Sequence, residues 1–242
     1  MAGHSKWSTI KRKKGALDQK RGKLFSNISK EITVSSRLGG KDIDSNPRLR
    51  QAVKKAKALN MPNSNIDKAI KKGVGELDNV IIEEVSYEGY GPFGVAIIIE
   101  AITDNKNRTV ADIRHALSKF GGSLGQAGSV SWNFERNGII LIDKNEISEG
   151  DIFEFSIEND CIEFFEDDDC YRLHFHSNEL YNKLDLLEKL SIKVDSSFLS
   201  YVPKDEIGLN EDDNQKVEKL LEFLDDLEDV QNVFSNQTLG QS

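Results

Sequence analysis

The spacing of the hydrophobic residues changes near Gly75, and this change limits the folds open to the chain. Before it, apolar side chains recur every three or four residues, as on one face of an α-helix. After it, they alternate with polar residues or form short runs bounded by glycine, as in β-strands. The pattern predicts an α+β protein in which an N-terminal helical bundle precedes two α+β domains.

Three helices are predicted before this change. The first has an apolar stripe of residues spaced seven and four apart, namely Leu17, Leu24, Ile28 and Ile32, and ends at Gly39-Gly40. The second is expected to have Asn46 as its N-cap and Pro47 as its first residue, because both types favour those positions. The third starts after Pro62-Asn63 and stops at Gly73. Together they predict a small bundle.

The strand patterns that follow predict two domains, one inside the other. Residues 136–203 run strand, helix, strand, strand, helix, strand, which is the order of a ferredoxin-like unit. A final helix and strand in 204–238 cannot form a core alone, so we expect them to rejoin the sheet of residues 80–135. The predicted domains are therefore 1–75, 80–135 with 204–238, and the inserted 136–203.

Three short segments of the second domain have predicted conformations or roles. Gly89–Gly94 lacks the lysine and the following helix of a phosphate-binding loop, so it is predicted to be a hairpin turn. Ser129–Phe134 is predicted as a strand with Val130, Trp132 and Phe134 on alternate sites. Capping is the simplest role for the Asp and Asn residues of Thr103–Thr109, where Arg108 offers a second anion contact.

The two cysteines are predicted to be free. Both fall in one hairpin that turns near Asp167-Asp168, in a register that places Cys170 opposite Phe165. Cys161 then lies about four residues away along the ladder, roughly 13 Å at the rise of a strand, which is too far for a disulfide. Free thiols are typical of a reducing compartment. The N-terminus also lacks the apolar stretch of a secretory signal, so a cytoplasmic location is expected.

Charge is distributed very unevenly along the chain. Residues 1–75 hold 19 Lys and Arg against 5 Asp and Glu, whereas the remainder holds 13 against 36, so charges of +14 and −23 make up the net −9. A cationic excess of this size in one third of a chain is the electrostatic footprint of a nucleic-acid-binding domain. The longest apolar run, Val95–Ile99, is too short to cross a bilayer, so no membrane partner is expected.

The sequence contains none of the motifs that indicate catalysis. There is no nucleophile motif, no His-Glu metal spacing and no pair of carboxylates in a glycine-bounded cleft, so no enzyme, cofactor, metal or small-molecule substrate is predicted. His115 is expected on a helix, and His174 on a strand edge without an evident partner. With Met1 removed, Ala2-Gly3-His4 would offer a square-planar nitrogen set to Cu²⁺ or Ni²⁺, although a flexible arm end is the simpler interpretation.

Six ordered blocks resemble the YebC family of probable transcriptional regulatory proteins, and together they span nearly the whole chain. They are Ala2–Trp7, Met61-Pro62 with Ile66–Gly73, Tyr87–Pro92, Thr103–Thr109, Gly128–Trp132 and Asp229–Val233. The resemblance implies a helical domain and two α+β domains, with the third inserted into the second. It also implies a cytoplasmic, non-enzymatic protein. The sequence departs from the family at Phe93, where a second glycine is common, and at Asn145–Asn159, which is shorter than the usual helix.

The resemblance leaves two roles open. Family members are described as DNA-binding transcriptional regulators and as ribosome-associated translation factors, including the mitochondrial translational activator of cytochrome c oxidase. Relief of stalling on proline-rich nascent chains is the translation role attached to some members. A third hypothesis is that the basic domain only docks on the acidic domains of its own chain. DNA and ribosomal RNA are both compatible with a cationic surface, because both are bound through phosphate.

The candidate nucleic-acid-binding residues lie on the N-terminal arm and on the outer helix faces. Lysine suits sequence-independent phosphate contacts, and arginine can also bind in a bidentate manner. Trp7 is expected either to stack on an unpaired base or to fold back onto the bundle. The candidates are Lys6, Trp7, Lys11, Arg12, Lys13, Lys14, Lys20, Arg21, Lys23, Arg50, Lys54 and Lys57.

Overall fold

The computed structural model of the chain describes residues 21–77 and 81–240. These residues form two compact units. The first unit combines the described residues up to Asn133 with those from Asp205 onward, and the inserted unit is Phe134–Lys204. The further division of the first unit into a helical domain and an α+β domain stays a prediction.

The secondary structure is the α+β mixture that the sequence predicts. In chain order the described helices are α1 (Arg21–Gly39), α2 (Pro47–Ala58), α3 (Asn63–Gly73), α4 (Lys106–Lys119), α5 (Glu149–Glu158), α6 (Leu180–Lys189) and α7 (Glu211–Asp225). The strands are β1 (Glu83–Tyr90), β2 (Ala96–Thr103), β3 (Ser123–Leu124), β4 (Phe134–Asp143), β5 (Glu163–Glu166), β6 (Cys170–His176), β7 (Ser196–Pro203), β8 (Ile207–Leu209), β9 (Val230–Ser235) and β10 (Gln237–Leu239).

The predicted start of α2 and the predicted stop of α3 at Gly73 are confirmed, while α3 begins at Asn63 itself. The side chain of Asn46 accepts a hydrogen bond from the backbone N–H of Leu49 at 3.1 Å, and Pro47 is the first residue of α2. The apolar faces of α1, α2 and α3 enclose one core, whose fully buried members include Ile32, Leu49 and Ala56. This core fixes which sides of α2 and α3 remain outside.

Near the end of helix α3, backbone carbonyl groups accept hydrogen bonds from hydroxyl groups of α1. Thr33 donates to the carbonyl of Ala69 at 3.1 Å, and Ser36 donates to that of Ile70 at 3.2 Å. A Cβ at Gly73 would lie only 2.0 Å from the Ser36 hydroxyl oxygen, so this close approach requires glycine. The sequence predicts the stop at Gly73, and the contact with α1 explains it.

The sheet of the first unit has the strand order β3-β1-β2-β9. β1 and β2 form an antiparallel hairpin closed by a 3-10 turn at Pro92–Gly94, as the sequence predicts. Phe93 lies in that turn with φ 63°, a conformation that favours glycine. The C-terminal α7 and β9 rejoin this sheet, with Val233 opposite Ile99. Helices α4 and α7 cover one face of the sheet.

The inserted unit is the predicted ferredoxin-like βαββαβ fold. Its sheet order is β5-β6-β4-β7, with all neighbouring strands antiparallel. Helices α5 and α6 pack on one face through a core that includes Ile152, Leu187 and Phe175. In the first unit, α7 is capped by Asn210, whose side chain accepts from the N–H of Asp213 at 2.9 Å.

The prediction of a strand at Ser129–Phe134 is wrong. Ser131–Asn133 forms a 3-10 turn, β4 begins only at Phe134, and Trp132 is 64% exposed while Val130 and Phe134 are buried. The cause is Glu88 on β1, whose carboxylate accepts backbone N–H groups of Gly128, Val130 and Ser131 at 2.7–2.9 Å. These hydrogen bonds hold the segment as a loop, so its N–H groups cannot enter a ladder.

The predicted register of the cysteine-containing hairpin is wrong by two residues. Phe165 pairs with Arg172, not with Cys170. The Arg172 guanidinium lies 4.1 Å from the Phe165 ring centroid and bonds the Asp167 carboxylate at 2.9 Å, and these contacts fix the register. A shift of two residues keeps every side chain on its face. Both thiols are free, Cys170 buried and Cys161 half-buried.

Candidate nucleic-acid interface

One side of α2 carries cations that lack a salt bridge. Lys54 and Lys57 are three residues apart and both are exposed, and within the described part of the chain neither forms a salt bridge. Leu49, Ala52, Val53 and Ala56 occupy the opposite, buried side of the helix. Because helix geometry alone separates these faces, the two ammonium groups remain available to an outside anion.

Arg50, the third predicted member of this face, is partly engaged within the chain. It lies four residues before Lys54, so it shares that side of α2. Its guanidinium donates to the carbonyl oxygen of Asp44 at 3.0 Å, and the residue is half-buried. This bond to a neutral group orients the side chain and leaves its charge uncancelled by that contact.

Two lysines of α3 belong to the same class and were missed from the sequence. Lys68 and Lys71 are exposed and form no salt bridge with any described residue, whereas Ile66 and Ile70 of the same helix are buried. The helical spacing of lysines against isoleucines is the signal that could have identified them. Their neighbour Lys72 is half-buried and lines a cleft.

Other cations of the helical region form bonds within the protein, to carboxylates in the cases of Arg48 and Lys41 and to a carbonyl in that of Arg37. Arg48 bonds Glu31 on α1 at 2.7 Å and also bonds Glu84 on β1. Burial opposes the charge, but the hydrogen bonds from the two carboxylates outweigh it and raise the pKa of Arg48. Lys41 pairs with Glu76 at 2.6 Å. Arg37 donates to the carbonyl of Ile82 at 2.8 Å.

Most of the predicted arm candidates lie outside the described residues. Arg21 begins α1, and Lys23 is half-buried on the same helix. The candidates that lie outside the described residues are Lys6, Trp7, Lys11, Arg12, Lys13, Lys14 and Lys20, and the Ala2-Gly3-His4 segment lies outside them as well.

Asp229 is the centre of a buried network that joins α1 to the sheet of the first unit. Its carboxylate, only 6% exposed, receives Lys30 of α1 at 2.8 Å and Arg108 of α4 at 2.8 Å. The hydroxyls of Thr103 and Thr109 donate to the same carboxylate at 3.0 and 2.8 Å. The Thr103–Thr109 and Asp229–Val233 blocks, far apart in sequence, therefore meet at one charge.

Burial and hydrogen bonding have opposite effects on the pKa of Asp229. Burial opposes ionisation of Asp229, but hydrogen bonds from Lys30, Arg108 and Thr109 outweigh it and lower its pKa to about 2. Asn105 caps α4 as predicted, its side chain accepting from the Arg108 N–H at 3.1 Å. The Arg108 guanidinium is held by Asp104 and Asp229, so the predicted second anion contact is already occupied by carboxylates.

A cleft of about 290 Å³ opens beside the Asp229 network. Hydroxyl groups of α1 contribute to its lining, and its charged residues number three of each sign. These are Lys30, Lys72, Arg108, Asp104, Glu228 and Asp229. Because the opposite charges cancel, the cleft lacks the cationic character of the α2 face.

Histidine and cysteine side chains of the inserted unit show no sign of a reactive site. His174 is 2% exposed on β6, with Nε2 3.3 Å from Arg172 and Nδ1 3.2 Å from Glu163, which corrects the prediction that it lacks a partner. Burial, with the charge of Arg172, lowers the pKa of His174 to about 4. Burial raises the pKa of Cys170 to about 11. These groups are neutral near pH 7.

The described residues meet neither the requirements of a metal site nor those of a membrane-spanning helix. None of their clusters of His, Cys, Asp or Glu could hold a metal ion. No helix among them is both long enough and apolar enough to span a lipid bilayer.

Comparison with known proteins identifies relatives along nearly the entire chain. Residues 5–76 match the family model of the TACO1/YebC protein N-terminal domain, and residues 82–237 match that of the TACO1/YebC second and third domain. A probable transcriptional regulatory protein of Syntrophus aciditrophicus is 49% identical over 237 residues, covering 98% of this chain and 95% of the relative. One from Persephonella marina is 47% identical over 243 residues, covering 100% and 97%.

A solved structure has the same fold. The crystal structure of a conserved hypothetical protein from Aquifex aeolicus aligns with a TM-score of 0.84 and 43% sequence identity, covering 93% of each chain.

Proposed function

Because the chain belongs to the TACO1/YebC family, we propose that it is a non-enzymatic, cytoplasmic regulator of gene expression that binds nucleic acid through its basic N-terminal third. The names of the relatives favour DNA as the target and transcription as the process. The observation that carries the proposal is the α2 face, where Lys54 and Lys57 are exposed and free of salt bridges among the described residues.

The α2 face matches what a phosphate backbone requires. Lysine ammonium groups are mobile point charges that neutralise phosphate without reading sequence. Their attraction to a polyanion comes largely from release of condensed counterions, and it does not need a deep pocket. The paired cations Lys30 and Arg48 perform a different task, because their carboxylate partners belong to this chain.

The exposed indole of Trp132 favours a second candidate, a ribosome-associated translation factor that binds RNA. Irregular RNA presents unstacked bases, which aromatic side chains bind by stacking. The bases of duplex DNA are already paired and stacked on each other, so they offer such a ring fewer stacking partners. Both candidates use the cationic face in the same way.

Salt dependence of binding tests the proposal that both candidates share. For the full-length protein, log Kd against log salt should rise with a slope of about 0.9 per phosphate neutralised on duplex DNA, or about 0.7 on a single strand. A complex insensitive to salt would contradict it. Crosslinking in cells, followed by sequencing of the bound nucleic acid, separates the candidates: promoter fragments select transcription, and ribosomal RNA selects translation.

A further inference from the structure

Two aromatic side chains of the first unit are exposed and donate hydrogen bonds to the same atom. Tyr90, at the end of β1, donates its hydroxyl to the carbonyl oxygen of Ser129 at 2.9 Å. Trp132 donates its indole N–H to that same oxygen at 3.0 Å. The hydroxyl oxygen and the indole nitrogen are therefore at most about 6 Å apart. The exposed fractions are 37% for Tyr90 and 64% for Trp132.

The loop that carries Trp132 is braced from the sheet. Glu88 on β1 accepts the N–H groups of Gly128, Val130 and Ser131, and Gly128 has φ +87°, which glycine adopts without strain. These hydrogen bonds lower the pKa of the Glu88 carboxyl against the opposing effect of its burial. The Glu88 carboxylate is therefore ionised and already hydrogen-bonded to backbone amides, whose dipoles partly offset its charge.

Satisfied polar atoms and free ring surface together indicate how this pair would bind. The phenol and the indole each use their one donor on Ser129, so an occupant meets exposed ring surface rather than free hydrogen-bond donors. A ligand with a flat π-face suits such a surface. Nucleobases have this face whatever their identity, and stacking on aromatic side chains is how proteins bind single strands without sequence preference.

We infer that Tyr90 and Trp132 form a stacking platform for an unpaired nucleobase of a single-stranded nucleic acid. This inference rests on the proposed function, because the cationic residues of the N-terminal third supply the attraction to the backbone. The platform adds contacts to bases, which the lysines do not provide. It also gives a structural reason for an indole that is exposed yet rigidly held.

Tryptophan fluorescence can follow the platform directly, because the chain has only two tryptophans. In a Trp7→Phe protein the emission reports Trp132 alone. Titration with oligo(U) RNA and with oligo(dT) should quench this emission as each complex forms, and an abasic strand of the same length should bind without comparable quenching. The stronger of the two quenching arms identifies RNA or DNA as the better source of the base.

Affinity measurements in the same Trp7→Phe background complete the test. Trp132→Ala should weaken binding of oligo(U) by about 5- to 150-fold, the range given by roughly 1–3 kcal/mol per stacked base. It should leave the abasic strand and the salt slope unchanged. Trp132→Phe, which keeps a ring, should recover part of the loss. Phe153→Ala removes another exposed aromatic, on α5, and should bind like the parent.

The outcomes separate the platform from the proposed function. If the protein binds single strands with a steep salt dependence, but Trp132 is not quenched and Trp132→Ala binds normally, the platform is wrong and the cationic interface stands. If no nucleic acid binds at any salt concentration, both are wrong. Equal melting temperatures for parent and Trp132→Ala are expected, since the ring is exposed, and they exclude unfolding as the cause of a loss.

Discussion

The exposed lysines of α2 and the cations that bridge α1 to the sheet all carry a positive charge, but their surroundings differ. Lys54 and Lys57 have no carboxylate partner among the described residues, whereas Lys30 and Arg48 are bonded to carboxylates that come from other elements. The two lysines can release counterions when they bind phosphate. Lys30 and Arg48 have already lost water in forming their pairs with carboxylates of the protein. The comparison teaches that net charge along a sequence overstates the charge that a partner can use.

Charge reversal on the open face should have the largest effect on binding. Lys54→Glu with Lys57→Glu should weaken binding to duplex DNA by about tenfold or more and lower the salt slope by about 2, because two phosphate contacts are lost. The melting temperature should change little. Lys189→Glu with Lys219→Glu, two exposed lysines elsewhere, alters net charge equally and serves as the control. If both double variants lost the same affinity, the loss would reflect net charge and not a contact with the α2 face.

Removing the charge of Asp229 should separate stability from binding. Asp229→Asn leaves Lys30 and Arg108 without their shared partner, so we expect a loss of about 2–3 kcal/mol in the free energy of unfolding. Thermal unfolding would show this as a drop of roughly 4–12 °C. The salt slope of binding, measured below the melting transition, should stay unchanged. Asp212→Asn, at an exposed site on α7, should cost less than about 0.5 kcal/mol.

The pH dependence of stability gives a second view of Asp229. Its pKa is about 2 in the folded protein against 3.8 without the network, so the folded state binds fewer protons. This contribution is complete above about pH 4 and is lost as the pH falls toward 2. It amounts to about 1–2 kcal/mol, allowing for screening at the half-exposed Arg108. Denaturant unfolding of the parent and Asp229→Asn should converge at low pH; a constant gap would assign the stability to packing instead.

A single α3 substitution should give the smallest effect. Lys68→Gln removes one exposed cation and should lower the salt slope on duplex DNA by about 0.9 if Lys68 contacts one phosphate. Filter binding at several salt concentrations measures it. An unchanged slope would show that Lys68 makes no phosphate contact. The interface would then consist of α2 and the arm.

Local signals explain what could be predicted about the fold. Asn46-Pro47 marks the start of α2 because a side-chain acceptor and a fixed φ act within one turn. The order of the inserted unit also follows from short-range alternation, and its sheet matches the prediction. The strand predicted at Ser129–Phe134 failed because Glu88, about 40 residues away, supplies acceptors that alternation cannot reveal.

The candidate site was less predictable for the same reason. Lys30 and Lys54 both look like helix-surface lysines in the sequence, yet Lys30 meets Asp229, which lies 199 residues further on. Trp132 was predicted on a strand, on alternate sites with Val130 and Phe134. Its exposure depends on the loop held by Glu88, and no pattern near Trp132 encodes that hydrogen bond.

The insertion also sets the order in which the two units can fold during synthesis. Residues 134–204 emerge as a continuous stretch, so that unit can fold as soon as β7 is made. Strand β2 must wait for β9, and Thr103 for Asp229, 126 residues later. At 5–20 residues per second this delay is roughly 6–25 s. A chain truncated just before Asp229 would therefore release a finished inserted unit attached to an unfinished first unit.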